Sequence, residues 1–119
     1  MGYDLHITRG EWYSDDKDTI TAEQWRGFAD ADPDLEVVGW SGNGEPQYAF
    51  IVGDSGPSFL RSRVSGTVHV RGAYSDEALR KVIELAARLG AVVQGDEGEY
   101  YRLTDRGVET SFDPPAADV

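Results

Sequence analysis

The fold class of this chain is decided by residues 75–103, which read SDEALRKVIELAARLGAVVQGDEGEYYRL. Ser75 is a suitable N-cap, acidic residues follow in the first helical turn, and Gly90 can adopt the left-handed conformation that ends a helix. Apolar residues recur between them at helical spacing and predict one buried face: Leu79, Val82, Ile83, Ala86 and Leu89. We therefore predict an amphipathic helix that ends at Gly90.

A hairpin is predicted directly after this helix. Residues 91–94 and 99–103 have strand character, and Gly95-Asp96-Glu97-Gly98 between them supplies a glycine-framed turn. The sequence predicts this hairpin to be the terminal one. It also predicts that residues 113–119, which contain Pro114-Pro115, form a flexible C-terminal tail.

The N-terminal part of the chain predicts a strand and then a helix. Residues 3–8 alternate between apolar and polar side chains, as in a half-buried strand. Thr21 is a suitable N-cap, and Gln24 stands three residues later, where it completes a capping box. Asp32-Pro33 ends this helix, because the residue before a proline is driven out of the helical conformation.

The middle of the chain predicts further strands. Residues 35–40 and 47–52 form two strands across a turn-rich linker, and residues 59–64 and 67–71 form a second hairpin whose register the pattern leaves open. Long runs of strand between only two helices favour an α+β fold over an alternating one. We predict a single domain over residues 1–112, with a mostly antiparallel β-sheet and two α-helices packed on one face.

Composition excludes several functional classes. The chain has 119 residues, with 22 acidic and 11 basic side chains and a net charge of −11. This acidity argues against nucleic acid as a partner, because phosphate binding requires a basic surface. The absence of cysteine excludes disulfides, thiolate nucleophiles and cysteine metal sites. Neither a signal peptide nor a membrane-spanning run is evident, so we expect a cytoplasmic protein without a membrane partner or a cofactor.

Two short motifs match known sites only in part. Gly53-Asp54-Ser55-Gly56-Pro57 resembles the nucleophile motif of chymotrypsin-like serine proteases, but the two β-barrels and the His and Asp contexts of that family do not accompany it. Residues 30–34, Asp-Ala-Asp-Pro-Asp, resemble the start of an EF-hand loop, but Leu35 and Ser41 stand where that loop requires Gly and Glu. We interpret both segments as turns, and we predict no catalytic residue and no metal ligand.

Two histidines offer an alternative site. His6 and His69 each lie in a predicted strand, and a sheet can bring such distant residues together. With Asp4 and Arg71 nearby in sequence, they could line a pocket on the sheet face that binds a small molecule or performs acid–base chemistry. A pair of unrelated structural histidines remains the simpler interpretation.

The charge is unevenly distributed along the chain. No acidic residue lies between Asp54 and Asp76, whereas Arg61, Arg63 and Arg71 fall inside this window. The remaining chain is therefore more acidic than the total suggests. Either the central strands simply carry the basic share of the surface, or a broad acidic surface steers a basic protein partner. The candidate interaction residues for such a partner are the following aromatic and acidic side chains: Trp12, Asp15, Asp16, Trp40, Asp96, Glu97 and Glu99.

Two segments carry a resemblance to other proteins. The start Tyr3-Asp4-Leu5-His6-Ile7-Thr8-Arg9 and the run Leu89-Gly90-Ala91-Val92-Val93-Gln94-Gly95-Asp96-Glu97-Gly98-Glu99-Tyr100-Tyr101 are similar to a group of small uncharacterised bacterial proteins, which share a YDLxITR start and an LGAxVQGDxGExY segment. The resemblance implies a stand-alone cytosolic bacterial protein. It implies no activity and no catalytic residue, and it links to toxin–immunity pairs only by analogy.

These observations lead to one expected function and two alternatives. We expect a non-enzymatic protein-interaction module, of the kind that an immunity protein uses to inhibit a basic toxin. The first alternative is a small-molecule-binding protein or enzyme that uses the cleft of Asp4, His6, His69 and Arg71. The second is a homodimer that forms through an exposed edge strand or the aromatic surface.

Overall fold

A computed structural model of the protein describes residues 4–9, 20–42, 44–50, 56–62, 66–73 and 75–112. In these residues the elements follow the order β1 (Leu5–Thr8), α1 (Ala22–Ala31), β2 (Leu35–Trp40), β3 (Pro46–Phe50), β4 (Ser58–Arg61), β5 (Val68–Arg71), α2 (Asp76–Arg88), β6 (Val92–Gly95), β7 (Tyr100–Thr104) and β8 (Gly107–Ser111).

The strands form one sheet with the order β2-β3-β4-β5-β1-β6-β7-β8, and every neighbouring pair is antiparallel. The predicted α+β fold, with a mostly antiparallel sheet and two helices, is confirmed. The first strand of the chain lies inside the sheet, and both ends of the sheet are formed by strands from hairpins.

Two helical crossovers explain why both helices lie on the same face. β5 and β6 are both antiparallel to β1, so they run parallel to each other, and α2 carries the chain across β1. By the same alternation β1 runs parallel to β2, and α1 connects them. These two crossovers start from oppositely directed strands and move in opposite lateral directions. Right-handed connections of this kind place both helices on one face.

The core lies between the helices and this face of the sheet. Leu5 and Ile7 of β1 are buried with Val68 and Val70 of β5, and side chains from both helices complete the same cluster: Trp25, Ala29, Val82, Leu85, Ala86 and Leu89. The Trp25 ring meets the Tyr48 ring edge to face, with centroids 5.6 Å apart. The alternating residues of β1, notably His6, consequently face away from the helices.

The predicted start of α1 is confirmed in detail. Thr21 Oγ1 accepts the backbone N–H of Gln24 at 3.1 Å, and the Gln24 side chain accepts the backbone N–H of Thr21 at 3.3 Å. Arg9 links this capping box to the end of α2. Its Nη1 donates to Gln24 Oε1 at 2.9 Å, while its Nε and Nη2 donate to the Leu89 carbonyl at 2.9 and 2.7 Å.

The acidic turn after α1 has a structural partner in α2. Lys81 Nζ lies 2.6 Å from Asp32 Oδ2 and 3.1 Å from Asp34 Oδ2, and both Lys81 and Asp32 are buried. The Lys81 ammonium also lies 5.5 Å from the centre of the Phe50 ring. The segment that resembles an EF-hand loop therefore has an internal cation in place of a metal ion.

The end of α2 forms a Schellman motif. Gly90 has φ of +66°, the Ala91 N–H donates to the Ala86 carbonyl at 2.8 Å, and the Gly90 N–H donates to the Ala87 carbonyl at 3.1 Å. The predicted stop at Gly90 is correct. At the other end, Ser75 Oγ accepts the Ala78 N–H at 3.1 Å, as expected of an N-cap.

Several sequence-based boundaries differ from the structure. The strand expected over 47–52 begins one residue earlier, at Pro46, and its expected end at residue 52 lies outside the described ranges. The open register of the central hairpin is fixed by pairing Ser58 with Arg71 and Arg61 with Val68. The hairpin at 91–103 is not the terminal one, because β8 (Gly107–Ser111) pairs with β7. The sequence of β8 alternates too weakly to reveal a strand, whereas its pairing with β7 adds a full ladder of backbone hydrogen bonds.

Several expectations concern residues outside the described ranges. They are Trp12, Asp15 and Asp16 as interaction residues, Arg63 in the acid-free window, the turn at 53–55 and the tail at 113–119. Of the described helices, α1 and α2, neither has the length and apolar character required to cross a bilayer.

Candidate functional site

The sheet register brings the two histidines together. His6 pairs directly with His69 across β1 and β5, and it faces Gln94 across β1 and β6. The three side chains therefore form a row on the sheet face opposite the helices. His6 and Gln94 are buried, and His69 is half-buried. Polar side chains buried in the middle of a sheet require internal hydrogen-bond partners.

A chain of hydrogen bonds connects these histidines to a carboxylate. His6 Nδ1 lies 2.8 Å from His69 Nδ1, and His6 Nε2 lies 2.7 Å from Asp96 Oδ1. Asp96 Oδ2 in turn accepts the backbone N–H of Asp4 at 3.1 Å. The Asp4 carboxylate lies 3.4 Å from Nε of Arg71, whose side chain is 78% exposed. We refer to Asp4, His6, His69, Arg71 and Asp96 as the His–Asp cluster.

The hydrogen bonds assign the ring protons of the two histidines when both imidazoles are neutral. A carboxylate only accepts, so His6 carries its proton on Nε2 and presents a lone pair on Nδ1. His69 must then donate from its own Nδ1, which leaves the lone pair of His69 on Nε2. The two rings meet edge to face, with centroids 4.9 Å apart and an angle of 87° between their planes.

Burial and neighbouring charge shift the pKa values in the cluster. Burial lowers the pKa of His69, and the adjacent His6 lowers it further, against smaller opposite effects of Asp4 and Asp96. Burial alone would raise the pKa of Asp96, but the hydrogen bonds from His6 and from the Asp4 backbone outweigh it, and the pKa is lowered. At neutral pH the cluster therefore holds an ionised Asp96 and a neutral His69.

All four residues of the predicted pocket thus lie in one cluster. The sequence analysis missed Asp96 as their partner and placed it instead in an acidic loop tip. No local pattern could reveal this contact, because it depends on the pairing of β1 with β6, about 90 residues later in the chain.

The acidic loop does not present its three carboxylates as one surface. Asp96 turns toward His6, and Glu99 Oε2 accepts the Tyr101 hydroxyl at 3.1 Å. The Glu99 carboxyl group occupies the space that a side chain on residue 95 would require, so a substitution of Gly95 would displace the end of the Glu99 side chain. Only Glu97 among the three acids is strongly exposed.

A second candidate surface lies at the open edge of the sheet. Trp40 of β2 is 61% exposed, and Val37 and Val38 beside it are also exposed. A β-bulge between Val37 and Gly39 shifts the register with β3. The Arg26 guanidinium of α1 lies 5.7 Å from the centre of the Trp40 ring, so α1 and the end of β2 form one continuous surface.

Exposed carboxylates of α1 lie on the same flank of the helix as Arg26. Glu23 and Asp30 are both exposed, and the Asp30 carboxylate also accepts the hydroxyl proton of the buried Tyr48. Glu36 of β2 is exposed on the opposite face of the sheet, because Val37, the next residue, pairs with Tyr48 on the face that α1 covers. We refer to the α1–β2 surface as the set of exposed residues Glu23, Arg26, Asp30, Val37, Val38 and Trp40.

The acid-free window does not form an open basic patch. Arg61 lies in a largely buried ion pair with Glu45, with Nε to Oε1 at 3.2 Å and Nη2 to Oε2 at 3.1 Å, and its Nη1 donates to the Ile20 carbonyl at 3.2 Å. Arg71 is exposed but lies beside Asp4. Of the described arginines of this window, Arg61 is therefore held in the interior, and Arg71 is exposed beside a carboxylate.

The comparisons with known proteins add no relative. No protein-family model, no curated protein and no solved structure matches this chain. In the part of the chain that the structure describes, no group of three or more His, Cys, Asp or Glu side chains is arranged to hold a metal ion.

Proposed function

We propose that this protein is a non-enzymatic interaction module that binds a basic protein through the α1–β2 surface. The observation that carries the proposal is the exposure of Trp40, which is 61% accessible at the sheet edge and lies next to exposed Val37 and Val38. Large apolar side chains gathered at one place on a small domain mark an interaction site, and tryptophan is among the residues that contribute most to binding.

The charge around this apolar centre favours a basic partner. Glu23 and Asp30 are exposed on the neighbouring flank of α1, and the chain as a whole carries a net charge of −11. Interfaces commonly combine an apolar centre with a polar rim. A negative rim on a strongly acidic protein accelerates the approach of a positive partner and rejects acidic ones.

An immunity-type role fits these properties. An acidic module that covers the basic site of a toxin requires no catalytic group, only a complementary surface and rapid association. A gene for a basic toxin beside the gene for this protein is the expected genetic context.

The edge strand itself favours side-chain contacts over strand addition. The bulge between Val37 and Gly39 interrupts the ladder along β2. Bulges at sheet edges discourage pairing with another strand. The partner is therefore expected to contact Trp40 and its neighbours from the side of α1. A homodimer through the same surface is a separate outcome, which sedimentation of the purified chain would reveal.

The test compares two exposed apolar positions at opposite ends of the sheet. The chain and its Trp40→Ala, Glu23→Lys and Leu103→Ala variants serve as baits in a lysate of the organism that makes it, and the captured protein is then purified and titrated. We expect a basic protein whose affinity falls at least tenfold with Trp40→Ala and Glu23→Lys but stays unchanged with Leu103→Ala. We also expect its association rate to fall steeply with added salt.

Three results would contradict the proposal. One is a partner that the Trp40→Ala variant binds as tightly as the unaltered chain does. Another is the lack of any specific partner at every ionic strength tested. The third is a stable homodimer that buries Trp40 at the concentrations found in cells.

The His–Asp cluster supports a second candidate function, a small-molecule-binding protein or enzyme. The specific observation is the 2.8 Å contact between His6 and His69, which places two imidazoles beside Asp4 and Arg71 on one sheet face. Thermal-shift measurements with small carboxylic acids and phosphate esters test it. Stabilisation that disappears in the His69→Gln variant would support this function, and no stabilisation of the unaltered chain by any of these compounds would contradict it.

A further inference from the structure

The two histidines are spaced like neighbouring ligands of one metal ion. A zinc–nitrogen bond is about 2.0–2.1 Å long, so two nitrogens on one ion lie about 2.9 Å apart at a right angle and about 3.4 Å apart in a tetrahedron. The Nδ1 atoms of His6 and His69 are 2.8 Å apart. Two changes would turn the hydrogen-bonded pair into a metal site. Both rings must rotate so that their Nδ1 lone pairs point to one ion instead of along the line between the nitrogens, and the nitrogens must separate by about 0.6 Å for a tetrahedral ion.

The partner of His6 is the one that metal-binding histidines usually have. Asp96 Oδ1 lies 2.7 Å from His6 Nε2, so the carboxylate holds the ring and keeps the proton on Nε2. The lone pair is consequently on Nδ1, which faces His69. A carboxylate on the remote ring nitrogen is the usual support of a ligating histidine, because it fixes the tautomer and increases the basicity of the ligand.

We propose that His6 and His69 together bind a divalent transition-metal ion through their Nδ1 atoms, with Asp96 as the residue that positions His6. The two histidines are the protein ligands, and water fills the remaining coordination positions. In the bound form His69 releases the proton of Nδ1 and takes up one on Nε2, so both rings stay neutral and no net charge change is required. The inference is independent of the docking of a protein partner.

The chemistry of the cluster selects the class of metal. Imidazole nitrogen is a ligand for zinc, nickel and copper, whereas magnesium and calcium require oxygen ligands. The carboxylates of Asp4 and Asp96 lie beside the pair and favour a cation, as does the net charge of −11. Arg71 acts in the opposite direction, but its side chain is largely exposed and already lies beside Asp4.

The experiment uses the full chain without a histidine tag. Binding of Zn²⁺ and Ni²⁺ is measured by calorimetry at neutral pH, with Mg²⁺ as the ion expected not to bind. We expect one ion per chain and a loss of affinity of at least tenfold in His69→Gln. We expect a loss of about 10–100-fold in Asp96→Asn, because this variant weakens the support of His6 and also removes a negative charge beside the ion. Glu36→Gln removes one negative charge elsewhere on the same sheet and is expected to leave the affinity unchanged.

A spectroscopic readout separates ligation from general attraction of cations. Nitrogen-15 NMR of the imidazoles should show that His69 changes from the Nδ1–H tautomer to the Nε2–H tautomer when the metal binds, while His6 keeps its proton on Nε2. His69 is half-buried, so its variant is expected to fold even if a variant of the buried His6 does not.

The proposal is overturned by any of three results. The unaltered chain binds Zn²⁺ and Ni²⁺ no tighter than His69→Gln does, the Glu36→Gln control loses as much affinity as His69→Gln, or the His69 tautomer does not change at saturating metal. Each of these would mean that the pair is a hydrogen bond between two structural histidines.

Discussion

Replacement of Lys81 should lower the free energy of unfolding. Its ammonium is buried between Asp32 and Asp34, at 2.6 and 3.1 Å. Burial by itself would lower the pKa of Lys81, but hydrogen bonds to the two carboxylates outweigh it, and the pKa is raised. Removal of the ammonium is costly because it leaves the buried Asp32 carboxylate with the more distant and half-exposed Arg88, whose Nη1 lies 3.6 Å away.

We therefore expect Lys81→Met to lower the free energy of unfolding by about 3 kcal/mol. Urea denaturation at neutral pH measures this change. The double variant Lys81→Met with Asp32→Asn is the control, because it removes both charges and retains the side-chain oxygen that accepts the Asp34 N–H. The double variant should be more stable than the single one. A single variant within about 0.5 kcal/mol of the unaltered chain would show that the pair is not a stabilising contact.

The buried hydroxyl of Tyr48 predicts how the stability of the fold changes at alkaline pH. Burial raises the pKa of the Tyr48 hydroxyl to about 12, and its hydrogen bond to Asp30 adds to the effect. The folded state therefore keeps a proton that the unfolded chain loses near pH 10. The resulting stabilisation is complete below pH 10 and is lost as the pH rises toward 12.

Ultraviolet titration of the tyrosines checks this prediction. We expect one tyrosine of the folded protein to ionise near pH 12, and we expect that transition to be absent in the Tyr48→Phe variant. If the late transition persists in Tyr48→Phe, it belongs to another tyrosine and the assignment is wrong.

At the scale of the elements, two glycines in or after helices should respond in opposite directions to the same substitution. Gly90 has φ of +66° in the Schellman motif and has open space around its missing side chain, so Gly90→Ala introduces only backbone strain. Gly27 lies inside α1 and also has open space around its missing side chain. Gly27→Ala therefore changes only the helix propensity of that position.

We expect Gly90→Ala to destabilise the fold by about 1 kcal/mol and Gly27→Ala to stabilise it by about 0.5–1 kcal/mol. Thermal and urea unfolding measure both changes, and each variant is the control for the other. The same sign of change in both variants would contradict the assignment of left-handed backbone to Gly90.

The helices were the elements that the sequence could predict well. Thr21 with Gln24, and Ser75 with Gly90, are local signals, and the structure contains the capping contacts that they predict. Strands were predicted less accurately because their ends depend on the neighbouring strand. β8 was missed because its pairing with β7, rather than its own pattern, makes it a strand.

At the scale of the whole molecule, the net charge of −11 should make stability depend on salt. Like charges repel one another more in the compact state than in the unfolded chain, and salt screens this repulsion. We expect the urea midpoint to rise between low-salt buffer and 0.2 M sodium chloride. The rise should be smaller in Glu36→Lys, which reduces the net negative charge by two. A fall of the midpoint with salt would mean that the ion pairs of Arg61 and Lys81 outweigh the general repulsion.

The candidate site shows which of its residues composition and sequence pattern can predict. The sequence identified His6 and His69 as residues that strands could bring together, and it included Asp4 and Arg71. It could not identify Asp96 as their partner, since that requires β1 to lie between β5 and β6. For the α1–β2 surface only Trp40 was identified, because the exposure of Val37 and Val38 follows from the position of β2 at the sheet edge.

The position of β1 also has a consequence for synthesis on the ribosome. Residues 5–8 emerge before both of their neighbours in the sheet, at 68–70 and 92–95, which are translated much later. The β2–β5 meander can form as soon as it emerges, because its strands pair in sequence order. The apolar side of β1 therefore lacks one neighbouring strand until β5 has been translated. It lacks the other until β6 has left the exit tunnel. Long-range closure of this kind is slow and exposes apolar surface, so chaperones that hold nascent chains should affect the yield of this small protein more than its size suggests.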